Sequence, residues 1–339
     1  MKNAKKFLSL TLALFMLVSL FTLTACSGKK NNNETTPPDT TAETKPEKIR
    51  IITLAGPTGM GMAKLIEDNT NKKTNYNYEF TIASAPDQVS PEVIKGNFDI
   101  ACVPVNLASV LFNKTEGKIK VIGVNTLGVL YMLENGNTIN SISDLKNKTI
   151  YATGQGSTPE YILRYVLEKN NIDPEKDVKI EFLAEHSELA SKLKTNAVAI
   201  GMLPEPQVTV ATTGGSSARI ALDLTEEWNK VSDYTLIQGC IIVRKEFAKQ
   251  YPKAVEGFLN EYKNSVDYVN NNVEEASNLI EKTGIVAKAA IAKNAIPNCN
   301  ICLITGDEMK NSIKQMLDVL YKANKASVGG KLPTDEFYY

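Results

Sequence analysis

The feature that most limits how this chain can fold is an order of strand, glycine turn and helix that occurs twice. In the first stretch KIRIITLA (48–55) reads as a buried strand, with Arg50 its one charge beyond the leading Lys48. GPTGMG (56–61) is a turn, and MAKLIEDN (62–69) then has helical spacing. Strands follow at Tyr78 to Ala83, Asp99 to Val103 and Lys120 to Val124. A short helix includes Pro91 to Lys95, and a second, VNLASVLF, has Pro104 near its first turn. In the second stretch Lys148 to Ala152 is a strand and Gly154 to Pro159 a glycine turn. EYILRYVLEKN is an amphipathic helix with Tyr161 and Tyr165, and Ile162 and Val166, four apart. Val178 to Leu183 is a strand, Ser187 to Lys194 a helix, and Ala197 to Leu203 a strand stopped by Pro204. Phe80 to Asn106 maps on Ile180 to Pro206 at a constant offset of 100 residues without a gap. Residue identity between the halves is low, so the symmetry is architectural. Strands alternating with helices predict an α/β chain with two open, mostly parallel sheets.

Beyond this repeat, Arg219 to Leu224 and Thr235 to Val243 read as strands. From Phe247 the pattern is nearly all helical: Phe247 to Asn271, Val273 to Thr283, Val286 to Ala295 and Glu308 to Ala323. No strand pattern is left there, so this block is expected to pack on one lobe as a cover.

The N-terminus sets the compartment. Three lysines within residues 1–6 precede an apolar run, Phe7 to Ala25, as in a secretory signal. Leu23-Thr24-Ala25-Cys26 matches the bacterial lipobox, in which a diacylglycerol is attached to the cysteine after cleavage before it. Residues 1–25 are therefore expected to be a lipoprotein signal peptide and Cys26 the lipidation site. The alternative is an uncleaved apolar anchor with a coincident cysteine. Both readings place the protein on the extracytoplasmic face of the cell membrane. Residues 26–47 hold no large apolar side chain and read as a flexible linker. Loss of residues 1–25 leaves 35 basic against 38 acidic residues, a net charge of −3. Without a basic excess, nucleic acid is not an expected partner. A single histidine, His186, argues against a His-rich metal centre, and no metal is expected.

Open α/β sheets bind ligands beyond the carboxyl ends of their strands, where helix N-termini offer free N–H groups. Six turns meet that description: 56–60, 84–88 and 104–106 in one half, 154–158, 185–188 and 204–206 in the other. They supply Thr58, Gly59, Met60, Asn106, Gln155, Ser157, Thr158, His186 and Glu205 as candidate ligand-binding residues. These turns lack the arginine fork that a phosphate or sulfate site often uses, although helix N-termini alone hold a sulfonate or nitrate. Glu205 favours a ligand with N–H donors, such as an amine or aminopyrimidine. The plain alternative for each polar residue is an N-cap, which fits Ser157 and Thr158 best because Glu160 lies just downstream.

Lipobox, polar linker and two α/β halves resemble the solute-binding proteins of ABC importers. Within that class the chain resembles the nitrate/sulfonate/taurine and thiamine-precursor binding family. The resemblance is carried by LAGPTGMGMAKLIE, DIACVPVN, IGVNTLGVLYMLE, DLKNKTIYATGQGSTPEYILRYVLEKNNIDPEKDVKIEF and GCIIVRKEFAKQYPKAVEGFLNEY, and spans about residues 48–325. It implies a two-lobed, type II periplasmic-binding-protein-like fold with the ligand cleft between lobes. It also implies crossings near Asn125-Thr126 and Gly239-Cys240, with one lobe at 48–125 and 241–339 and the other at 126–240. Thr126, at the first crossing, joins the candidate ligand-binding residues. The implied partners are a small-molecule solute, an ABC permease and its ATPase, and a membrane reached through the lipid anchor. The implied state is a monomer with no cofactor and no catalysis. Pyrimidine binders of this kind use stacked aromatics, for which Tyr131, Tyr161 and Tyr234 are candidates.

Other chemistries fit less well. The chain has no G-x-S-x-G elbow and no GxxxxGK[ST], and Gly154-Gln155-Gly156 lacks the third glycine of a dinucleotide fingerprint. A fungal pyrimidine-precursor synthase resembles this fold but carries a CCCFC run, absent here; menaquinone-pathway enzymes share the fold but are cytosolic. Cys299-Asn300-Ile301-Cys302 is a CxxC read as two partly buried thiols or a short disulfide. Trp228 is either a ligand-stacking side chain or a lobe-surface anchor. A sensor lipoprotein reporting to a membrane receptor remains the alternative function.

Overall fold

The run IRIITL forms strand β1 (Ile49–Leu54) and is buried at five of its six positions. Both faces are covered, which is why it reads as continuous rather than alternating. The computed structural model describes residues 45–339, all within one compact unit. The signal segment, Cys26 and the linker up to residue 44 lie outside the described residues. From β1 the chain continues through α1 (Pro57–Met60), α2 (Ala63–Thr70), β2 (Tyr78–Ala83), α3 (Pro86–Lys95), β3 (Ile100–Pro104), α4 (Val105–Lys114) and β4 (Ile119–Leu127). It crosses to a second sheet at β5 (Leu130–Glu134) and builds β6 (Thr149–Thr153), α5 (Thr158–Lys169), β7 (Lys179–Leu183), α6 (His186–Lys194) and β8 (Ile200–Pro204). There follow α7 (Gln207–Thr212), β9 (Arg219–Asp223) and α8 (Leu224–Asn229). It returns in β10 (Ile237–Arg244) and ends with α9 (Lys245–Gln250), α10 (Pro252–Asn271), α11 (Val273–Lys282), α12 (Ala289–Ala295), β11 (Ile301–Ile304) and α13 (Gly306–Ala323).

The sheets run β11-β4-β10-β3-β1-β2 and β7-β6-β8-β5-β9. They are mixed, not mostly parallel as the alternation of elements suggests. β2-β1-β3 and β7-β6-β8 are parallel, whereas β10 and β5 run against both of their neighbours. Each of these two strands is delivered from the opposite lobe. It enters at the end where the parallel strands finish, and so has to run the other way. The repeat therefore extends to sheet order: β2-β1-β3-β10-β4 in the first lobe matches β7-β6-β8-β5-β9 in the second.

Two strands escape the sequence reading. All five residues of β5 are buried, so it has no alternation, and only Gly128 and Val129 part it from β4. β11 is four residues long inside a helical block, and it pairs with β4 at Thr126 and Val124. The C-terminal block is also not a cover for one lobe alone. α10, α11 and α12 enclose a core with Ile49, Ile51 and Met60 of the first lobe. α13 instead packs on α4, β4 and β10 and also on α5 of the second lobe. Its Met309, Met316 and Leu320 belong to a core that runs on to Ile162 and Val166 of α5.

The charge in β1 is explained at the pole away from the strand ends that carry the candidate turns. Asp99, only 4% exposed, accepts from the Arg50 backbone N–H, Nε and Nη2 and from Arg244 Nη2. Burial opposes its ionisation, yet the two arginines hold its carboxyl below the usual range.

Candidate functional site

Two proline corners 100 residues apart end the third strand of each parallel trio, at Pro104 and Pro204. Around them and the two glycine turns, the candidate residues fall into separate groups. In the first lobe Asn125, fully buried on β4, donates from Nδ2 to the Thr58 carbonyl at 2.9 Å. Thr126 donates from Oγ1 to Asn125 Oδ1 at 3.3 Å. Gly59 is packed so closely that a Cβ would lie 2.3 Å from the Leu54 carbonyl oxygen. Thr58, Gly59 and Thr126 thus form one knot where β1 and β4 end. Met60 is fully buried in the core beneath α10 and presents no surface to a ligand.

A second group joins the lobes. Asn106, at the start of α4, reaches the Ser327 carbonyl at 3.5 Å. Three residues earlier, Asn324 Nδ2 donates to Tyr161 Oη at 2.9 Å, and Tyr161 Oη donates to the Gly156 carbonyl at 2.9 Å. Residues 324–327 therefore bring the start of α4 next to the glycine turn before α5. In that turn Gln155 is exposed between Gly154 (φ 77°) and Gly156 (φ 71°), both left-handed. Ser157 occupies the N-cap position, but its Oγ donates back to the Gly154 carbonyl at 2.6 Å and caps no helix N–H. Thr158 is the first helical residue, not a cap. Glu160 closes the turn instead, accepting from the Gly156 N–H at 2.6 Å and from Arg164 Nε at 2.7 Å. His186 stands apart at the exposed start of α6, with Nδ1 2.6 Å from Thr153 Oγ1. Although the residue as a whole is exposed, partial desolvation of the ring beside Thr153 lowers its pKa, against the pull of Glu185.

Glu205 forms the third group. It is 3% exposed. Oε2 accepts from the Thr209 N–H, and Oε1 accepts from Thr209 Oγ1 and from Asn298 Nδ2, each at 3.1 Å. Burial raises its pKa, while these donors favour the charged form. Asn298 belongs to the first lobe, between α12 and β11, and its carbonyl accepts from Tyr131 Oη of β5 at 2.7 Å. Sequence reasoning missed Asn298, Asn300 and Asn324. They stand between or just beyond the helical runs of the C-terminal block; the CxxC at 299–302 contains Asn300, but it draws attention to the thiols and not to the asparagines.

Other candidates resolve simply. Trp228 is 1% exposed, packs at a tilt against Tyr165 with 4.4 Å between ring centroids and donates to the Tyr234 carbonyl. It is a core residue of the second lobe, neither a stacking platform for a ligand nor a surface anchor. Cys299 and Cys302 are free thiols. Cys299 joins the core beneath α10, whereas Cys302 packs against the core on the other side of the sheet. A groove of about 700 Å³ between α5 and α13 is lined by Tyr161, Arg164, Tyr165, Asp318 and Lys322. Several of its charges pair within it, Arg164 with Glu160 and Glu175, and Lys322 with Asp318.

A family model described as NMT1/THI5 like matches residues 80–276, more than half of the chain. The chain belongs to this family. Solved structures extend the likeness over both lobes of the NMT1/THI5-like chain. An ABC transporter structure from Parabacteroides distasonis is 24% identical with a TM-score of 0.74, covering 87% of this chain and 99% of its own. The periplasmic aliphatic sulphonate binding protein SsuA of Escherichia coli is 15% identical with a TM-score of 0.67, covering 86% and 93%. The periplasmic nitrate-binding protein NrtA of Synechocystis is 13% identical with a TM-score of 0.55, covering 83% and 84%. No curated protein matches the chain significantly in sequence. The fold of this NMT1/THI5-like protein is thus the two-lobed α/β fold of type II periplasmic binding proteins.

Proposed function

We propose that this protein is the extracytoplasmic solute-binding lipoprotein of an ABC importer, catalysing no reaction itself. The observation that carries the reading is the pair of lobes, each with its parallel trio and its one strand delivered from the other lobe. Such lobes turn about their crossings and close over a solute. The reading is supported by the solved structures of this fold, which include an ABC transporter structure and periplasmic sulphonate- and nitrate-binding proteins. We take the lobes as about 48–125 with 241–339, and about 126–240, the chain passing between them near the end of β4 and the start of β10. The turns at 56–60, 104–106 and 154–158 supply the solute contacts, chiefly through Thr58, Asn106 and Gln155. Cys26 carries the lipid that keeps the protein at the membrane, beside a permease and its ATPase.

A thermal-shift screen of the mature protein with sulfonates, nitrate, pyrimidines, amines and aromatic acids tests the reading. A true solute at a hundred times its Kd stabilises the protein by about 2.7 kcal/mol. A flat response across all classes counts against a solute receptor. Cys26→Ser is expected to abolish lipid labelling, and persistent labelling of that variant would refute the anchor.

A further inference from the structure

The segment between α12 and β11 touches both the crossing and the opposite lobe. Asn300 accepts at its carbonyl from the Leu127 N–H at 3.1 Å and donates from Nδ2 to the Gly128 carbonyl at 2.7 Å. It thereby grips the two residues through which the chain leaves the first sheet. Two positions earlier, Asn298 uses its carbonyl on Tyr131 and its side-chain amide on Glu205, both of the second lobe. Asn300 holds a left-handed φ of 45°, uncommon for a residue with a side chain. The segment cannot drift, because Cys299 is fully buried and Ile301 pairs with Thr126.

Glu205 is the matching half. Both of its oxygens are engaged, by Thr209 of its own lobe and by Asn298 of the other. None of the ion pairs found among the described residues involves it. A buried carboxylate of this kind costs stability unless donors meet it, and one of its donors comes from across the lobes.

We propose that Asn298 to Asn300 form a clasp that holds the lobes closed beside the first crossing, and that Glu205 is its seat on the second lobe. Asn298 and Glu205 are then positioning residues. They set how readily the lobes part, and so the affinity for the solute, without touching it. This rests on the reading of the protein as a two-lobed solute receptor, but its test needs no solute.

The test is hydrogen exchange by mass spectrometry on the full-length chain, comparing the parent with Asn298→Ala, Glu205→Ala and Glu205→Gln. Asn298→Ala and Glu205→Ala are expected to speed exchange several-fold in peptides covering 124–131 and 203–210, with β1 and β7, each inside a single lobe, unchanged. Glu205→Gln keeps an acceptor at the Oε1 position and is expected to leave 124–131 at the parent rate. Unchanged exchange in both alanine variants overturns the clasp. Faster exchange throughout β1 and β7 also overturns it, since these strands lie inside single lobes and their opening reports global destabilisation. Glu205→Gln behaving like Glu205→Ala overturns the role given to the cross-lobe hydrogen bond. None of these results depends on which solute is carried, so a failed solute screen and a failed clasp remain separate outcomes.

Discussion

Val105 and Glu205 stand at the same place in the two lobes, 100 residues apart, each directly after a strand-ending proline. Both are buried, at 1% and 3% exposure. Burying the valine is favourable by itself, in a core shared with Ala101, Val103 and Leu111. Burying the carboxylate is costly and succeeds only because Thr209 and Asn298 bring it donors. One corner therefore serves packing, while the other joins the lobes. Equal positions in a quasi-repeat share a backbone task but not a chemical one.

The largest expected effect comes from making the two corners alike. Val105→Glu puts a carboxylate where the surroundings are aliphatic, and is expected to cost about 4 kcal/mol or more, the range reserved for unpaired buried charge. Urea denaturation measures it. A cost below about 1 kcal/mol would mean that the first corner accommodates charge as readily as the second, and the contrast would collapse.

The two crossings come next. Each carries a glycine with ordinary φ but no room for a side chain. A Cβ on Gly128 would lie 2.2 Å from Thr225 Oγ1 and 2.8 Å from Leu236 Cδ2; one on Gly239 would lie 2.6 Å from Asn125 Oδ1. Gly128→Ala and Gly239→Ala are each expected to cost about 1–3 kcal/mol through overpacking, read from the shift in urea midpoint. Alanine tolerated at both would show that the crossings are looser than the packed contacts imply.

Much of this architecture was legible beforehand, and the pattern of failure is physical. β2 was read to its exact ends, Tyr78 and Ala83, and the proline corners and the offset of 100 hold in the sheet order. Period and punctuation are local, so local reasoning finds them. The antiparallel setting of β5 and β10 depends on where the chain crosses between lobes, which no window of ten residues encodes. The same limit separates the candidate residues. Met60 stands in a glycine turn and only packing beneath α10 puts it in the core, while Asn298 and Asn324 reach partners more than 90 residues away.

A smaller effect sharpens the chemistry of the second corner. The pKa of Glu205 is raised by burial above its unfolded value. Its protonated form is the cheaper one to bury, so its contribution to stability is fully present below the unfolded pKa and is lost as pH rises through the folded one. Glutamine is neutral at every pH. The stability of Glu205→Gln relative to the parent is therefore expected to rise with pH from about 4 to 8, as followed by Tm in matched buffers. A difference that stays flat, or falls, would mean that the donors outweigh burial and that the carboxylate is held below its usual range.

The smallest effect on stability is expected at Gln155, and there the contrast is between the two glycine turns. In the first turn Thr58 is buried and its carbonyl is bound by Asn125, so the turn is tied into its lobe. In the second, Gln155 is exposed between two left-handed glycines, so its side chain carries little of the fold. Gln155→Ala is expected to change unfolding free energy by no more than about 0.5 kcal/mol, as for ordinary surface positions. If Gln155 contacts the solute, the partner it leaves behind in a closed cleft is unpaired, at about 1–3 kcal/mol. That corresponds to roughly a five- to hundred-fold weaker Kd, measured by calorimetry with the solute found in the thermal-shift screen. Unchanged affinity with unchanged stability would remove Gln155 from the site and leave Asn106, facing the same turn across residues 324–327, as the residue to test there.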